Sequence, residues 1–512
     1  MFKAAVLRED PAHGRTKGKS IVFKKNRKRR LIFNDDAYQQ RTHLDHCYGI
    51  TDEQSFIDAR TTPTFDTHVD TYVWCVGNGA EPPWGPFGLK YRAPVYPVLG
   101  SPARATDLIV EACHGKGMEV WGSLRMNDVH DYGYDLKETN DPLKEQHPEY
   151  LIGKPEDRDL PPERVDRFLR TAFNFERPEV RQHRLDFIRR NAEAHDFDGY
   201  ELDFTRFIWH LPMGRECELA PLMTEFIREV RSALNAVGEK RGRPYTLVVH
   251  VMDSVEASLL LGHDVQAWVS EELVDVLVVG MGCMPFTIDL DHWKALGERY
   301  GVPVYPSLNA RPLFRYHQGE KQQALNRGSS ASDEYIRAVA AWWWHNEVDG
   351  IYLFNFFTRV DVTGLQKKQA YAPLKGIGDP AMLAGKDKLY AIEPVAFGGM
   401  FSQGSERPQL PIVLDTAERK LALSMGPDAD DPGARFRILV FTRGGEPDTK
   451  VWMRLNHRLL EPVRQDGYYT VQVPAGTMWV GRNDFSICCN AELDKTPNPM
   501  IVHDEIMISV TH

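Results

Sequence analysis

The sequence predicts an α/β protein: a (β/α)8 TIM barrel followed by a C-terminal antiparallel β-sandwich domain. Three observations lead there. At 512 residues the chain is longer than one ordinary domain. Up to about residue 360, short apolar, β-branched or aromatic runs alternate with segments of helical periodicity, as in consecutive βα units. Beyond that point the pattern changes to short strands separated by turn signals.

Eight runs read as barrel strands: 31–33, 69–76, 119–124, 199–204, 246–251, 274–279, 302–305 and 350–354. Helix candidates fill the intervals at 104–116, 178–195, 218–237, 264–272, 291–300 and 332–346. Several strands follow a helix-stopping phrase ending in Gly, as at Gly117, Gly199, Gly301 and Gly350, where Gly ends the helix and the chain reverses. The interval between the third and fourth runs is long. It holds a Pro- and charge-rich stretch from Asn140 to Arg164, on the face where barrel enzymes do chemistry.

The C-terminal runs 436–441, 450–455, 468–473 and 505–510, with reversals at Gly444-Gly445 and Asp466-Gly467, read as the sandwich. The expected organisation is a basic lead-in over 1–29, the barrel over 30–364, a linker over 365–389 and the sandwich over 390–512. The cluster Lys24-Lys25-Asn26-Arg27-Lys28-Arg29-Arg30 is read as a solvated lead-in to the first strand.

Composition narrows the function. Hydrophobic residues at 42% and charged residues at 26% exclude wholesale disorder. A net charge of −10 argues against nucleic acid as partner, and no run approaches the length of a spanning helix, so no membrane role is expected. Seven cysteines without C-x-x-C or Cys/His ligand spacing argue against a zinc ribbon or redox dithiol. No phosphate loop, G-x-S-x-G or H-E-x-x-H occurs, so nucleotide, serine-hydrolase and zincin chemistry are disfavoured. The N-terminus lacks a secretory pattern, which points to the cytoplasm, or to the periplasm or exterior if a leader has been removed.

In a barrel the useful polar residues lie at the C-terminal strand ends. The fourth run, Asp198-Gly-Tyr-Glu-Leu-Asp-Phe-Thr-Arg206, puts Glu201 and Asp203 on one side of the strand and Tyr200, Leu202 and Phe204 on the other. Like charges this close push one pKa up, which suits acid/base or nucleophilic work, so Glu201 and Asp203 are the catalytic candidates. The other ends supply substrate-binding candidates: Asp35, Asp36, Arg125, Asp128, His130, Arg206, His250, Asp253, Asn309, Arg311 and Asn355. With Trp74, Trp84, Trp121 and Trp209 nearby, such a ring suits a polyhydroxylated ligand. Arg125, His130, Arg206, His250, Arg311, Arg315 and His317 make an anionic glycan one expectation; their neutralisation by the neighbouring carboxylates is the other. No cofactor or metal is expected, although an oxygen-rich mouth can hold a divalent cation.

The phrase Asp198-Gly-Tyr-Glu-Leu-Asp-Phe resembles the fourth-strand signature of several barrel glycoside hydrolases. In the alpha-amylase and alpha-galactosidase groups such a strand ends in the nucleophilic Asp, which implies that role for Asp203. Chitinase-type barrels have a related strand, but this chain has Arg206 rather than Glu shortly after Asp203. With Phe33-Asn-Asp-Asp36 and Arg125-Met-Asn-Asp-Val-His-Asp131, the pattern is similar to a group of uncharacterised barrel proteins assigned to glycoside hydrolysis, over residues 30–390.

The expectation is therefore an O-glycoside hydrolase using two carboxylates on an oligo- or polysaccharide. A non-catalytic carbohydrate-binding barrel and a metal-dependent sugar-acid lyase or isomerase are the rivals. The sandwich, with Trp452, Tyr468, Tyr469 and Trp479 as surface candidates, is open between barrel packing, glycan binding, a spacer role and a homo-oligomer contact.

Overall fold

The computed structural model describes residues 28–37, 50–76, 99, 102–133, 135–138, 141–161, 164–309, 331–359, 367–394, 409–446, 448–492 and 498–512. Eight parallel strands close into a barrel: β1 (Leu31–Asp35), β2 (Val69–Cys75), β3 (Glu119–Arg125), β4 (Gly199–Asp203), β5 (Thr246–Val251), β6 (Val276–Val279), β7 (Val304–Asn309) and β8 (Ile351–Phe354). Neighbours pair in sequence order, and β8 returns to β1 through Leu31↔Ile351, Ile32↔Tyr352 and Phe33↔Leu353.

Alternation along the strands sorts their side chains between two cores. Tyr200 and Leu202 face out and join the large core under the helices. Ile32, Val73, Trp121, Val248, Val276, Val278, Tyr305, Tyr352 and Phe354 form a separate cluster that fills the barrel. Side chains plug the interior, so chemistry is confined to the rim.

The helices lie close to the predicted segments, at Pro102–His114, Pro178–Ala194, Glu216–Arg241, Val265–Ser270, Leu290–Tyr300 and Asp333–His345. Ser332, Asp289 and Asp264 cap three of them through their side chains. Gly301 ends Leu290–Tyr300 in the left-handed conformation (φ 66°), as a helix stop requires. Gly350 works differently: a Cβ there would lie 2.0 Å from the Arg29 carbonyl oxygen and 2.6 Å from the Tyr305 ring, so it permits close packing and is not a cap. The stretch after β3 contains the short helix Pro142–Gln146 and 3-10 turns at Pro148–Tyr150 and Pro155–Asp159. It is anchored by the buried pair Lys144–Asp131 at 2.7 Å.

Arg29 and Arg30 correct the reading of a solvated basic lead-in. Arg29 pairs with Glu119 at 2.6 Å and lies over the Trp121 ring, and Arg30 pairs with Asp70, so both tie down the N-terminal end of the barrel. The rest of that cluster, apart from the exposed Lys28, lies outside the described residues.

The C-terminal strands form two antiparallel sheets. One has the order β10 (Ile412–Val413), β18 (Ile501–Thr511), β12 (Arg435–Arg443), β16 (Tyr468–Val473), β15 (Val463–Gln465), with β9 (Lys388–Ile392) also paired to β18. The other runs β11 (Arg419–Met425), β17 (Gly481–Cys489), β13 (Val451–Leu455), β14 (Arg458–Leu460). The sandwich packs on the barrel. Ala338, on the helix Asp333–His345, belongs to the sandwich core, while Leu439, Phe441 and Met507 of the sandwich belong to the barrel core. Trp452 and Trp479 face solvent and Tyr468 is half-buried, but Tyr469 is buried with its hydroxyl donating to the Thr449 carbonyl, so it is not a surface ring. Among the described residues no helix is long and apolar enough to cross a membrane.

Candidate active site

The rim at β3, β4 and β5 gathers most of the expected polar residues. In the strand register Asp203 lies between Arg125 and His250, and Glu201, one layer deeper, lies between Ser123 and Val248. Glu201 is fully buried. Tyr352 donates to its carboxyl at 2.7 and 3.0 Å, and Ser123 donates at 3.3 Å. Burial, and then the Asp203 charge, push the Glu201 carboxyl up to about 8, so it holds a proton at neutral pH.

Asp203 is anchored at one oxygen only. Its Oδ1 accepts from the Thr205 backbone at 2.9 Å, the Thr205 hydroxyl at 2.7 Å and the Arg206 backbone at 3.1 Å. Among the described residues no donor reaches Oδ2. Four residues on, Phe207 has φ 68°, a strained conformation for a bulky side chain, within the turn that Asp203 organises.

His250 Nε2 lies 2.7 Å from the Gly280 carbonyl, which can only accept, so that nitrogen carries the proton. Nδ1 then presents a lone pair, 3.9 Å from Glu201 Oε1 and 3.8 Å from Asp203 Oδ1. Burial lowers the pKa of this ring and keeps it neutral.

A second network crosses the rim. Arg125 donates to Asp36 at 3.0 Å and to Asp128 at 3.1 Å; Asp128 accepts from His130 at its backbone (2.9 Å) and at Nδ1 (2.7 Å). His130 Nε2 in turn faces Arg206 Nη2 at 2.9 Å. Against the cost of burial, the contacts from His130 and then the charge on Arg125 hold the Asp128 carboxyl far below the usual range.

The other candidates are dispersed. Asp35 pairs with buried Arg60 at 3.2 Å and accepts from Tyr72 at 2.8 Å, so it joins the barrel wall to the helix Glu53–Arg60. Asp253, at the end of β5, accepts from the Met281 backbone at 3.0 Å. Asn309 ends β7, and its backbone donates to the Gly282 carbonyl at 2.7 Å. Asn355 is buried in a left-handed conformation after β8. Arg311, with Arg315, His317 and Trp84, lies outside the described residues. Trp74, Trp121 and Trp209 are corrected from sugar platforms to packing residues, being 2%, 0% and 3% exposed. Tyr352 and Ser123 are the two site residues that sequence reasoning missed. Only the alternation of β8 and β3 marks them as facing inward.

Among the described residues two groups have the donor chemistry and spacing for a cation. Glu201, Asp203 and His250 offer atoms within 4.8 Å of one another, as do Glu256, Asp289 and His292. In the first, Asp203 Oδ1 already accepts three bonds and both Glu201 oxygens accept from Tyr352.

No family model matches this chain, and no curated protein sequence matches it. Solved structures similar to it include an alpha-amylase of Anoxybacillus, at 14% identity, covering 91% of this chain and 98% of that chain with a TM-score of 0.42. The alpha-amylase of Geobacillus thermoleovorans, complexed with acarbose, is 13% identical over 90% and 98% of the two chains, TM-score 0.42. Alpha-L-fucosidase isoenzyme 2 from Paenibacillus thiaminolyticus is 13% identical over 72% and 51%, TM-score 0.41. These neighbours are glycoside hydrolases.

Proposed function

We propose that this chain is an O-glycoside hydrolase whose reaction centres on Asp203. The observation that carries this reading is the division of labour between two neighbouring carboxyls at the end of β4. Asp203 has one oxygen fixed by three donors and the other uncommitted among the described residues, while Glu201 beneath it is held protonated. Paired carboxyls with opposed environments are the arrangement from which acid and base roles arise.

Asp203 attacks the anomeric carbon or activates water. Glu201 holds the proton that an acid must supply, and Asp253, 5% exposed on the adjacent strand end, is the alternative donor to the leaving oxygen. If Glu201 is the acid, donor atoms within 4.8 Å favour retention, since an inverting pair needs about 6.5–9.5 Å to admit water.

The spacing of Glu201, Asp203 and His250 favours one second reading, a metal-dependent lyase or isomerase of sugar acids. Assays of wild type and Asp203→Asn on a polysaccharide panel, with and without chelator, separate the two. The hydrolase reading expects reducing ends to appear with chelator present and kcat/KM to fall by roughly 10²–10⁴ in the variant. Activity abolished by chelator supports the metal reading.

A further inference from the structure

The rim network holds Arg206 near Asp128, Asp36 and Asp203 but gives it no carboxylate in direct contact among the described residues. Arg125, the other rim arginine, bonds Asp36 and Asp128. Arg206 has no such partner: among the described residues its guanidinium bonds only His130 Nε2, and its Nε is shielded from solvent without an acceptor. His130 cannot offset the charge. Its Nδ1–H donates to Asp128, so Nε2 is the acceptor and the ring is neutral.

The side chain is also not free to move out into solvent. It is partly buried, held at Nη2 by His130 and lies over the Phe207 ring, 5.9 Å from its centroid. Its backbone is pinned to Asp203. A guanidinium cannot shed its proton, and holding one partly buried with an unmade hydrogen bond is costly unless another group completes it. The position beside Asp203 is where a sugar ring undergoing attack would lie.

We infer that the subsite beside Asp203 takes a sugar unit bearing an oxyanion, a uronate carboxylate or a sulfate ester, bound by the Arg206 guanidinium that His130 orients. This rests on reading the rim as a glycan site. Planar, fork-like donation is what Arg provides to both oxyanions and Lys does not.

The test is isothermal titration of the full chain with oligogalacturonate, a sulfated galactan oligosaccharide and a neutral galactan oligosaccharide of the same length. Each is titrated at low and moderate salt into wild type, Arg206→Gln and Arg206→Lys. One anionic ligand should bind roughly 10- to 100-fold tighter than the neutral one, with the preference shrinking in salt. Arg206→Gln should abolish the preference and Arg206→Lys should keep part of it. Which anionic ligand binds identifies carboxylate or sulfate. Equal or tighter binding of the neutral ligand, a preference surviving Arg206→Gln, or no binding at all overturns the inference. If the Gln variant does not fold, the wild-type preference and its salt dependence decide alone. Binding is read without turnover: anion preference without hydrolysis sinks the hydrolase reading only, and hydrolysis confined to neutral glycans sinks the anion inference only.

Discussion

Replacing Glu201 by Gln removes a carboxyl whose ionisation the fold opposes. Glu201 is fully buried, and its carboxyl rises from 4.5 to about 8. Between those values the folded chain binds one more proton than the unfolded chain, so stability falls as pH rises, by about 1.4 kcal/mol per unit. This contribution is fully present below pH 4.5 and is lost as pH rises through 8. From pH 5 to 7.5 the wild type should lose roughly 3 kcal/mol through this group alone. Gln has the same shape and does not titrate, so the variant should gain on the wild type by that amount over the same span. Urea unfolding of both proteins at half-unit pH steps measures it, and taking the difference cancels the groups they share. A difference that stays flat with pH would mean that Glu201 is ionised in the fold and not held protonated. The same variant assigns its role in turnover. An amide imitates a carboxyl that only holds its proton, leaving kcat/KM within about tenfold, whereas a loss of roughly 10²–10⁴ makes Glu201 the proton donor.

Two further outcomes follow from the packing. Arg125→Met leaves Asp36 and Asp128 buried without their cation and should destabilise the chain by about 3–5 kcal/mol in urea unfolding, whereas a loss below about 1 kcal/mol would show that the network is not held by charge. Ending the chain before Lys388 strips the sandwich from the helix Asp333–His345 and uncovers Ala338 and Trp342. The remaining barrel should aggregate, and a soluble barrel of unchanged melting temperature would contradict the packing role.

The fold was legible because alternation and spacing are local. The run ending in Glu201 and Asp203 can be sorted into inner and outer faces from its own residues. The contacts that define the site are not local: Glu201 meets Tyr352 from 151 positions away and Ser123 from 78, and only barrel closure brings them together. Trp121 shows the same limit. A ring inside the barrel and a ring at its rim have the same sequence signature, and burial alone separates them. Arg29 and Arg30, read within a basic run, find Glu119 and Asp70 on other strands, so two residues of a cluster that looks solvated are spent on ion pairs. Arg206 was visible as a rim residue, but its want of a direct carboxylate contact among the described residues emerges only once Asp36 and Asp128 are seen to bond Arg125.

Azide rescue of Asp203→Ala tests whether Asp203 performs the chemistry. Wild type and variant are assayed on aryl glycosides with neutral, uronic and sulfated sugars, with and without sodium azide. The variant should lose roughly 10²–10⁴ in kcat/KM on the substrate the wild type turns over, and azide, taking the place of the missing carboxylate, should restore part of it with a glycosyl azide as product. A folded variant that keeps wild-type turnover without azide would contradict that role.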